Sequence, residues 1–545
     1  MRSSFTGAVF FIPPVWLLWF MLVPAAVPFL SGCASPDHWY DLETMYKDHP
    51  VPERVPPVEP ALPTPEFADS PLAEADQGSI SLSHEQAVFL ALSRNRELRV
   101  QQYEPVIAGT FEQIERAVYD LELFAELTHS EESASETARS TGEQFNVEGR
   151  DLDVLTGFSQ RLPTGTDLEA SLGYAGSTSN RTPEQQEIRA GLTITQSLLK
   201  GLGPAVNLVD IRQAQLASRA SLYELRGFVE ALVAEVETAY WRFVLAEEGI
   251  AIFEHSLTIA RQQLDEVEKR IEVGVLPRNA AAAARAEVAR REQALIESYS
   301  IHNERRLRLL RLLNASGGDQ FHLAVKTTTK PRTASAPPDD LNERLELAER
   351  SRPDLNEARL RLQQHRLEVV RTRNGLLPRL DLFINLGKTG YAGSFGDALK
   401  NMDQDSYDLA AGIRFSTYLG NREAEARHLA ARATREQADA AVMNLRNLVQ
   451  LDVRLALNET ERTSRQIEAS AVTRALQEQT LEAEQERFSI GASTSLLVAQ
   501  AQRDLLVSQL AEIEAIVEYR IALVNLYLAE GSLLERRGIQ LAGAE

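Results

Sequence analysis

At 545 residues, with 25% charged and 44% hydrophobic side chains, the chain has an ordinary globular composition and length enough for three or four domains. A formal charge of −21 argues against nucleic acid, whose phosphates attract basic surfaces. A single cysteine excludes a disulfide framework and any cysteine-rich metal site.

Residues 1–32 read as an export signal: Arg2 supplies a minimal basic region, and Ala8 to Leu30 is almost wholly apolar. An uncleaved membrane anchor is the alternative, since about 20 apolar residues span a bilayer. Pro13, Pro14, Pro24 and Pro28 make a straight spanning helix unfavourable. Leu30-Ser31-Gly32-Cys33 resembles the bacterial lipobox, which implies lipidation of Cys33 after cleavage. Ala34 follows, not the aspartate associated with inner-membrane retention, which favours the outer membrane. Residues 33–80 then form a lipid-anchored tether, made extended by nine prolines between positions 34 and 80.

Ser83, with Gln86 at the capping-box position, predicts a helix running to about Tyr119 with a kink at Pro105. Period-two alternation follows. Leu168, Ala170, Leu172 and Tyr174 alternate with polar or small residues, as do Ile188, Ala190, Leu192 and Ile194. Residues 121–128 and 152–161 are weaker strand candidates, read either as extra strands or as a decoration outside the membrane. No proline interrupts Ala205 to Leu276, and residues 206–270 predict a helix of about 98 Å. Gly274 marks a hairpin tip, since glycine adopts the left-handed conformation that ends helices.

The second half repeats this order. Leu380, Leu382, Ile384 and Leu386 alternate with Asp381, Asn385 and Gly387, and Tyr407, Leu409, Ala411, Ile413 and Phe415 alternate with Asp408, Gly412, Arg414 and Ser416. A second long helix covers 422–486, with a seam through Ala438, Ala441, Leu445, Leu448 and Leu455 that Asp452 interrupts. Gly491 marks the second tip. Ala91 to Leu98 matches Ala348 to Leu355 at an offset of 257, whereas Arg270 to Gly274 matches Arg487 to Gly491 at 217. The missing 40 residues fall where the strands lie, so the chain holds two copies of one unit with unequal strand regions. The expected division is a first repeat at 81–314, a linker at 315–340, a second repeat at 341–535 and a tail at 536–545.

Two strands per half give four, too few to close a barrel, and an open sheet in lipid leaves backbone groups unpaired. Either several copies share one barrel, twelve strands from three copies, or the sheet is not in a membrane. Several stretches are similar to the TolC-type outer-membrane factors. These are Arg373 to Leu380, Gln196 to Gly203, Leu419 to Arg422, the tip Arg487 to Leu497, and Ala499 to Asp504. The resemblance covers about residues 80–535 and implies a mainly α fold with membrane β. It implies a homotrimer with a shared 12-strand β-barrel in the outer membrane and an α-helical tunnel across the periplasm. It further implies a passive exit duct for drugs, ions or secreted proteins. The implied partners are outer-membrane lipid, a periplasmic adaptor and an inner-membrane pump of RND or ABC type.

This sequence departs from the family pattern in places. Ser197 and Tyr418 stand where a proline usually follows the strands. Leu497 and Gln500 stand where acidic residues ring the closed entrance of well-known members, and Ser493 where one has a basic gate residue. The expected tip, gate and adaptor contact comprises Gly274, Phe488, Gly491, Ser493, Leu496, Leu497 and Gln500, closed by apolar packing of Phe488 and Leu496. Both also fit a plain coiled-coil core, and Glu482, Glu484 and Glu486 fit either the lumen or a solvated face. The nine histidines form no HExxH or paired Cys/His spacing, Gly201-Leu202-Gly203 reads as a turn, and no GxSxG occurs, so neither cofactor, metal site nor enzyme is expected. The rival function is a lipid-anchored periplasmic coiled-coil scaffold or adaptor without a pore.

Overall fold

The computed structural model describes residues 79–137, 139–180, 183–314, 320–331 and 340–539, all within one unit, Pro60–Ala544. The export segment, Cys33 and the tether up to residue 78 lie outside the described residues, as does the tail beyond 539.

The first half opens with strand β1 (Ser79–Leu82) and helix α1 (His84–Arg94). Ser83 caps α1 through the predicted box: Gln86 N–H donates to Ser83 Oγ at 3.2 Å, and Ser83 N–H donates to Gln86 Oε1 at 2.8 Å. The helix does not run unbroken to Tyr119. It stops at Asn95, restarts as α2 (Arg96–Gln101), and restarts again as α3 (Tyr103–Ala117). Asn95 causes the first break: its side chain accepts from Leu98 N–H at 3.0 Å and donates to Leu312 O at 3.0 Å. Pro105 sits in the first turn of α3, where its missing N–H is not needed.

Four strands follow: β2 (Glu122–Thr137), β3 (Gln144–Leu162), β4 (Thr166–Ser179) and β5 (Gln185–Ser197). A short helix α4 (Pro204–Asn207) leads to the long helix α5 (Val209–Glu272), which spans about 96 Å, and α6 (Ala280–Leu313) returns from the tip. The linker holds β6 (Ala324–Thr327), which pairs in parallel with β1 and so ties the beginning of the first repeat to its end.

The second half has α7 (Leu341–Ser351), α8 (Pro353–Gly375), β7 (Arg379–Ala392), a short α9 (Phe395–Asn401) and β8 (Tyr407–Ser416). The long α10 (Arg422–Ser489), the returning α11 (Ser495–Glu530) and α12 (Leu533–Arg536) complete it.

One antiparallel sheet takes the order β2-β3-β4-β5-β7-β8. The four strands per chain behind a twelve-strand barrel are therefore corrected to six: four from the first half and two from the second. Segments 121–128 and 152–161 are the apolar ends of a long hairpin whose remaining residues, such as Ser130–Thr137, are polar on both faces and carry little alternation. The hairpin, residues 122–162, matches the 40-residue difference between the repeats.

Below the sheet the helices form a layer four wide. Near the strands α3 packs on α5, α5 on α8 and α8 on α10; towards the tips α6 packs on α5, α5 on α11 and α11 on α10. Two short helices thus stack against each long one. The main core lies where they meet, around Tyr240, Phe243, Leu309, Leu313, Ile521 and Leu533.

The α10 seam differs from its prediction. Val449 and Val453 are buried against the chain's own helices, whereas Leu448 and Leu455 are exposed. Asp452, the polar break, lies 3.5 Å from Arg352. Among the described residues no helix is long and apolar enough to cross a membrane.

Candidate functional site

The six strands sort their side chains by charge and polarity. Successive residues point to opposite faces of a sheet, and the register places Leu123, Phe158, Ala170, Leu192, Leu386 and Leu409 on one of them. Leu127, Leu409 and Ile413 there are 70%, 63% and 66% exposed. Only its far end is covered, by α9: Phe395 meets Tyr174 with ring centroids 5.6 Å apart, and a Cβ on Gly390 would lie 2.1 Å from Ala398 O. The opposite face carries Glu122, Glu126, Asp153, Glu169, Arg189 and Asp408. Arg189 Nη2 donates to Asp408 Oδ2 at 2.7 Å across three strands. One face thus suits hydrocarbon and the other water. Every strand has at least the 10 residues of β8, which is the length a tilted membrane strand requires.

The sheet is open. β2 and β8 each have one unpaired edge. The helix layer ends on the same two sides, with α3 next to β2 and α10 next to β8. Both outer helices bear uncovered apolar stripes, at Ile107, Phe111 and Ile114 on α3 and at Leu448, Leu451 and Leu455 on α10. Their spacing of three and four residues is that of one helix face.

The sheet is fixed to the helices by backbone capture. Asn207 Nδ2 donates to Pro163 O at 2.9 Å and to Gly201 O at 2.8 Å, and Asn374 Oδ1 accepts from Gly201 N–H at 2.8 Å. Gly201 has φ +85°, and Gly165 approaches it so closely that a Cβ would lie 2.2 Å from Gly201 O. The Gly201-Leu202-Gly203 stretch is a turn leading into α4, as its missing third glycine predicts.

At the other end, Gly274 and Gly491 both have φ +78° and end α5 and α10. Thr494 then caps α11, its side chain accepting from Leu497 N–H. Phe488 is 5% exposed and lies in a cluster with Val267, Ala284, Leu481, Val498 and Ala501 that joins the two tips of one chain. Leu496, Leu497 and Gln500 are exposed instead. Ser493 Oγ donates to Glu484 Oε2 at 2.7 Å, and this bond holds the Glu484 carboxyl below its usual range, helped by Arg487.

Sequence reasoning missed Arg270. Its Nη1 donates to Phe488 O at 3.1 Å and its guanidinium carbon sits 4.6 Å from the Phe488 ring centroid. The signal was present in the repeat, where Arg270 and Arg487 occupy matching positions. The uncovered stripes on α3 were also legible as a spacing of apolar residues and were not read.

Comparison with known proteins gives one family and a set of folds. The family described as outer membrane efflux protein matches residues 160–315 and 345–532. The match begins at Gln160, so α1–α3, β2 and most of β3 precede it. The outer-membrane channel OprN has 19% identity and a TM-score of 0.62, covering 82% of this chain and 90% of its own. The Campylobacter jejuni outer membrane channel CmeC has 17% identity and a TM-score of 0.62, covering 83% and 86%. The Vibrio cholerae outer membrane protein VceC has 16% identity and a TM-score of 0.61, covering 82% and 96%. Among curated proteins no relative matches.

Proposed function

This chain belongs to the outer membrane efflux protein family, a channel-tunnel subunit of efflux systems, and on that premise we propose that three copies assemble into one passive exit duct. A shared barrel crosses the outer membrane, and a helical tunnel continues it through the periplasm. The observation that carries this reading is the uncovered apolar face of an open sheet. In lipid each unpaired edge group costs several kcal/mol, and a neighbouring copy at each edge removes the cost. The stripes on α3 and α10 support the same neighbour, since two different edges that meet head-to-tail form a closed ring. A scaffold without a pore would leave all three surfaces in water.

Cys33, once acylated, adds a second attachment, and several chains anchor stably where one does not. At the tips, Leu496, Leu497 and Gln500 are free to meet a periplasmic adaptor, which links the duct to an inner-membrane pump of RND or ABC type. Leu496 and Leu497 also close the resting entrance by apolar contact between copies. Phe488 acts behind them by stiffening the tip pair.

Planar-bilayer recording and heat-modifiable migration of protein extracted from outer membranes test the reading together. Trimers that conduct are expected, and Cys33→Ser should leave them in the membrane. A Cys33→Ser chain released as a soluble, non-conducting monomer sinks the duct in favour of the scaffold.

A further inference from the structure

The first-half hairpin lies, except for its last three residues, outside the family match and has no counterpart in the second half. Two fates are open to it in an assembled duct: a flap beside the barrel, or part of the wall. We propose that it is wall, and that its edge strand β2 pairs with β8 of the next copy. With six strands in each copy, three copies close an eighteen-strand barrel. The inference rests on the trimeric reading above and adds the interface that joins the copies.

Edge availability comes first. For the flap, β4 would have to meet the neighbouring β8. That edge of β4 is already taken, because β3 pairs with it continuously from Gly149↔Ser179 to Leu162↔Thr166. The edges left open are β2 and β8. With β2 running away from the helices and β8 running towards them, contact between copies is antiparallel, like every other pairing in this sheet.

The apolar band gives an independent reason. Follow one line of facing residues across the sheet: Glu122, Ser159, Glu169, Thr193, Asn385 and Ala410. On the lipid face, the apolar residues nearest the helices are Leu123, Leu162, Leu168, Ile194, Leu380 and Phe415. Relative to the line, Leu123 lies one row above, Leu168 and Ile194 one row below, Leu162 three rows below, and Leu380 and Phe415 five rows below. The band thus sits lower on β7 and β8 than on β2, β4 and β5, as a flat membrane boundary does when it cuts tilted strands. β2 and β3 carry Leu123, Leu127, Val154, Phe158 and Leu162 on the same face as the other strands' apolar residues, which a flap in water has no reason to match.

The strand ends give the same stagger. β2 begins at Glu122, on the line, while β8 continues six residues past Ala410 to Ser416. Six rows over six strands is one row per strand. That ratio occurs in an eight-strand barrel of shear 8, whose strands tilt about 36°, and closed barrels tilt by about 35–45°. Placing Glu122 opposite Ser416 puts Leu123 opposite Phe415 and Ala125 opposite Ile413, so apolar residues face apolar residues and the band returns to its own height.

Diameter grows roughly linearly with strand number, so this barrel is about one and a half times as wide as a twelve-strand one. Four helices per copy, α3, α4, α8 and α10, connect to the sheet at its helical end, and at that end the β3–β4 turn at Pro163–Gly165 joins two strands without a helix, docked on Asn207.

The test uses the full chain in outer membranes with the pair Ala125→Cys and Ile413→Cys. Facing Cα atoms lie about 4.5–5.5 Å apart, within disulfide reach. Oxidation should convert monomer on a denaturing gel into covalent dimer and trimer, and the parent chain, whose lone cysteine is Cys33, controls for background. Electron microscopy of the parent in nanodiscs should count eighteen strands. Trimers that cross-link through Ala170→Cys and Ile413→Cys instead, or that show twelve strands, overturn the inference and leave the duct standing. Solitary chains overturn both.

Discussion

The two halves of this chain use nearly equal helices and unequal sheets. α5 and α10 have 64 and 68 residues, and α6 and α11 have 34 and 36. Among the described residues the six-stranded sheet takes four strands from the first half and two from the second. Helices that must stack end to end cannot change length alone, because a shift of one turn moves every contact along the layer. An antiparallel hairpin leaves a sheet and returns at the same level, so it can be added at an edge without moving any helix. Here it is added between α3 and β4, where Tyr119 Oη donates to Asn207 O at 2.5 Å and Asn207 Nδ2 donates to Pro163 O.

The largest test of that comparison deletes residues 122–162, so that the first half has two strands like the second. Both ends of the deletion meet Asn207, so a short link can bridge them. We expect trimers with twelve strands and a barrel about two-thirds as wide, visible by electron microscopy. Loss of the helical layer would show that the hairpin supports more than the wall.

Next in size are the buried charges that fix the short helices of each half. In the second half Arg344 on α7 pairs with Glu530 on α11, both buried, and Ser532 Oγ donates to Glu530 Oε2 at 3.1 Å. In the first half Glu237 on α5 accepts from Arg537 Nε and Nη2, each at 2.7 Å, and lies 3.1 Å from His84 Nε2. Burial alone would raise the Glu237 carboxyl, but His84 and Arg537 outweigh it and hold it below its usual value. Removing one member of a buried pair strands the other, so Glu530→Ala should cost about 3–5 kcal/mol, read as a lower thermal midpoint by circular dichroism. Glu237→Ala should do likewise, with two partners left unpaired.

Arginine on the lipid face then compares the hairpin with the second-half strands directly. At the bilayer midplane it costs about 2–4 kcal/mol. Ile413→Arg on β8 should show that loss, and Leu127→Arg on β2 should show a similar one, measured as urea stability in vesicles. A silent Leu127→Arg alongside a costly Ile413→Arg would place β2 outside the membrane.

Glu230 sharpens the contrast by pH. It is buried on α5 beside Arg226, at 3.2 Å, and burial pushes its carboxyl up to about 7. A carboxyl raised above its unfolded value of 4.5 binds its proton more tightly when folded. Its contribution is therefore full below pH 4.5 and lost as pH rises through 7. Glu230→Gln should raise the midpoint at pH 8 by the equivalent of roughly 3 kcal/mol and change it little at pH 4.5. Equal effects at both values would assign the energy to the ion pair instead.

Sequence alone located most of this architecture, and its failures have physical causes. The long helices were legible because proline is absent and glycine marks each tip. β4, β5, β7 and β8 were legible because each presents one face to lipid and one to water, which writes a period of two. β2 and β3 extend past that boundary at Ser130 and Asp151 into residues polar on both faces, so only their apolar ends gave a signal. The α10 seam failed for another reason. That helix has two apolar stripes, one through Val449 and Val453 facing its own chain and one through Leu448 and Leu455 left uncovered, and a repeat of three and four residues cannot say which neighbour each stripe meets. Phe488 was ambiguous for the same reason, and it packs within its own chain.

The smallest test concerns the tips, where the halves look most alike in sequence. Arg270 and Arg487 hold matching positions before Gly274 and Gly491, yet they do different work. Arg270 crosses from the first tip to the second, donating to Phe488 O and lying over its ring. Arg487 stays on its own helix, 2.8 Å from Glu484, and is exposed. An exposed pair one turn apart contributes a few tenths of a kcal/mol, whereas a cation over an aromatic ring contributes about 0.5–1 kcal/mol or more, with a hydrogen bond added here. Arg270→Ala should therefore speed amide exchange around Phe488 and Val498 by about three- to tenfold, and Arg487→Ala should leave it within twofold. If the two variants behave alike, the tips are held by the apolar cluster around Val267 and Leu481, and the arginine bridge between the halves contributes nothing to their stability.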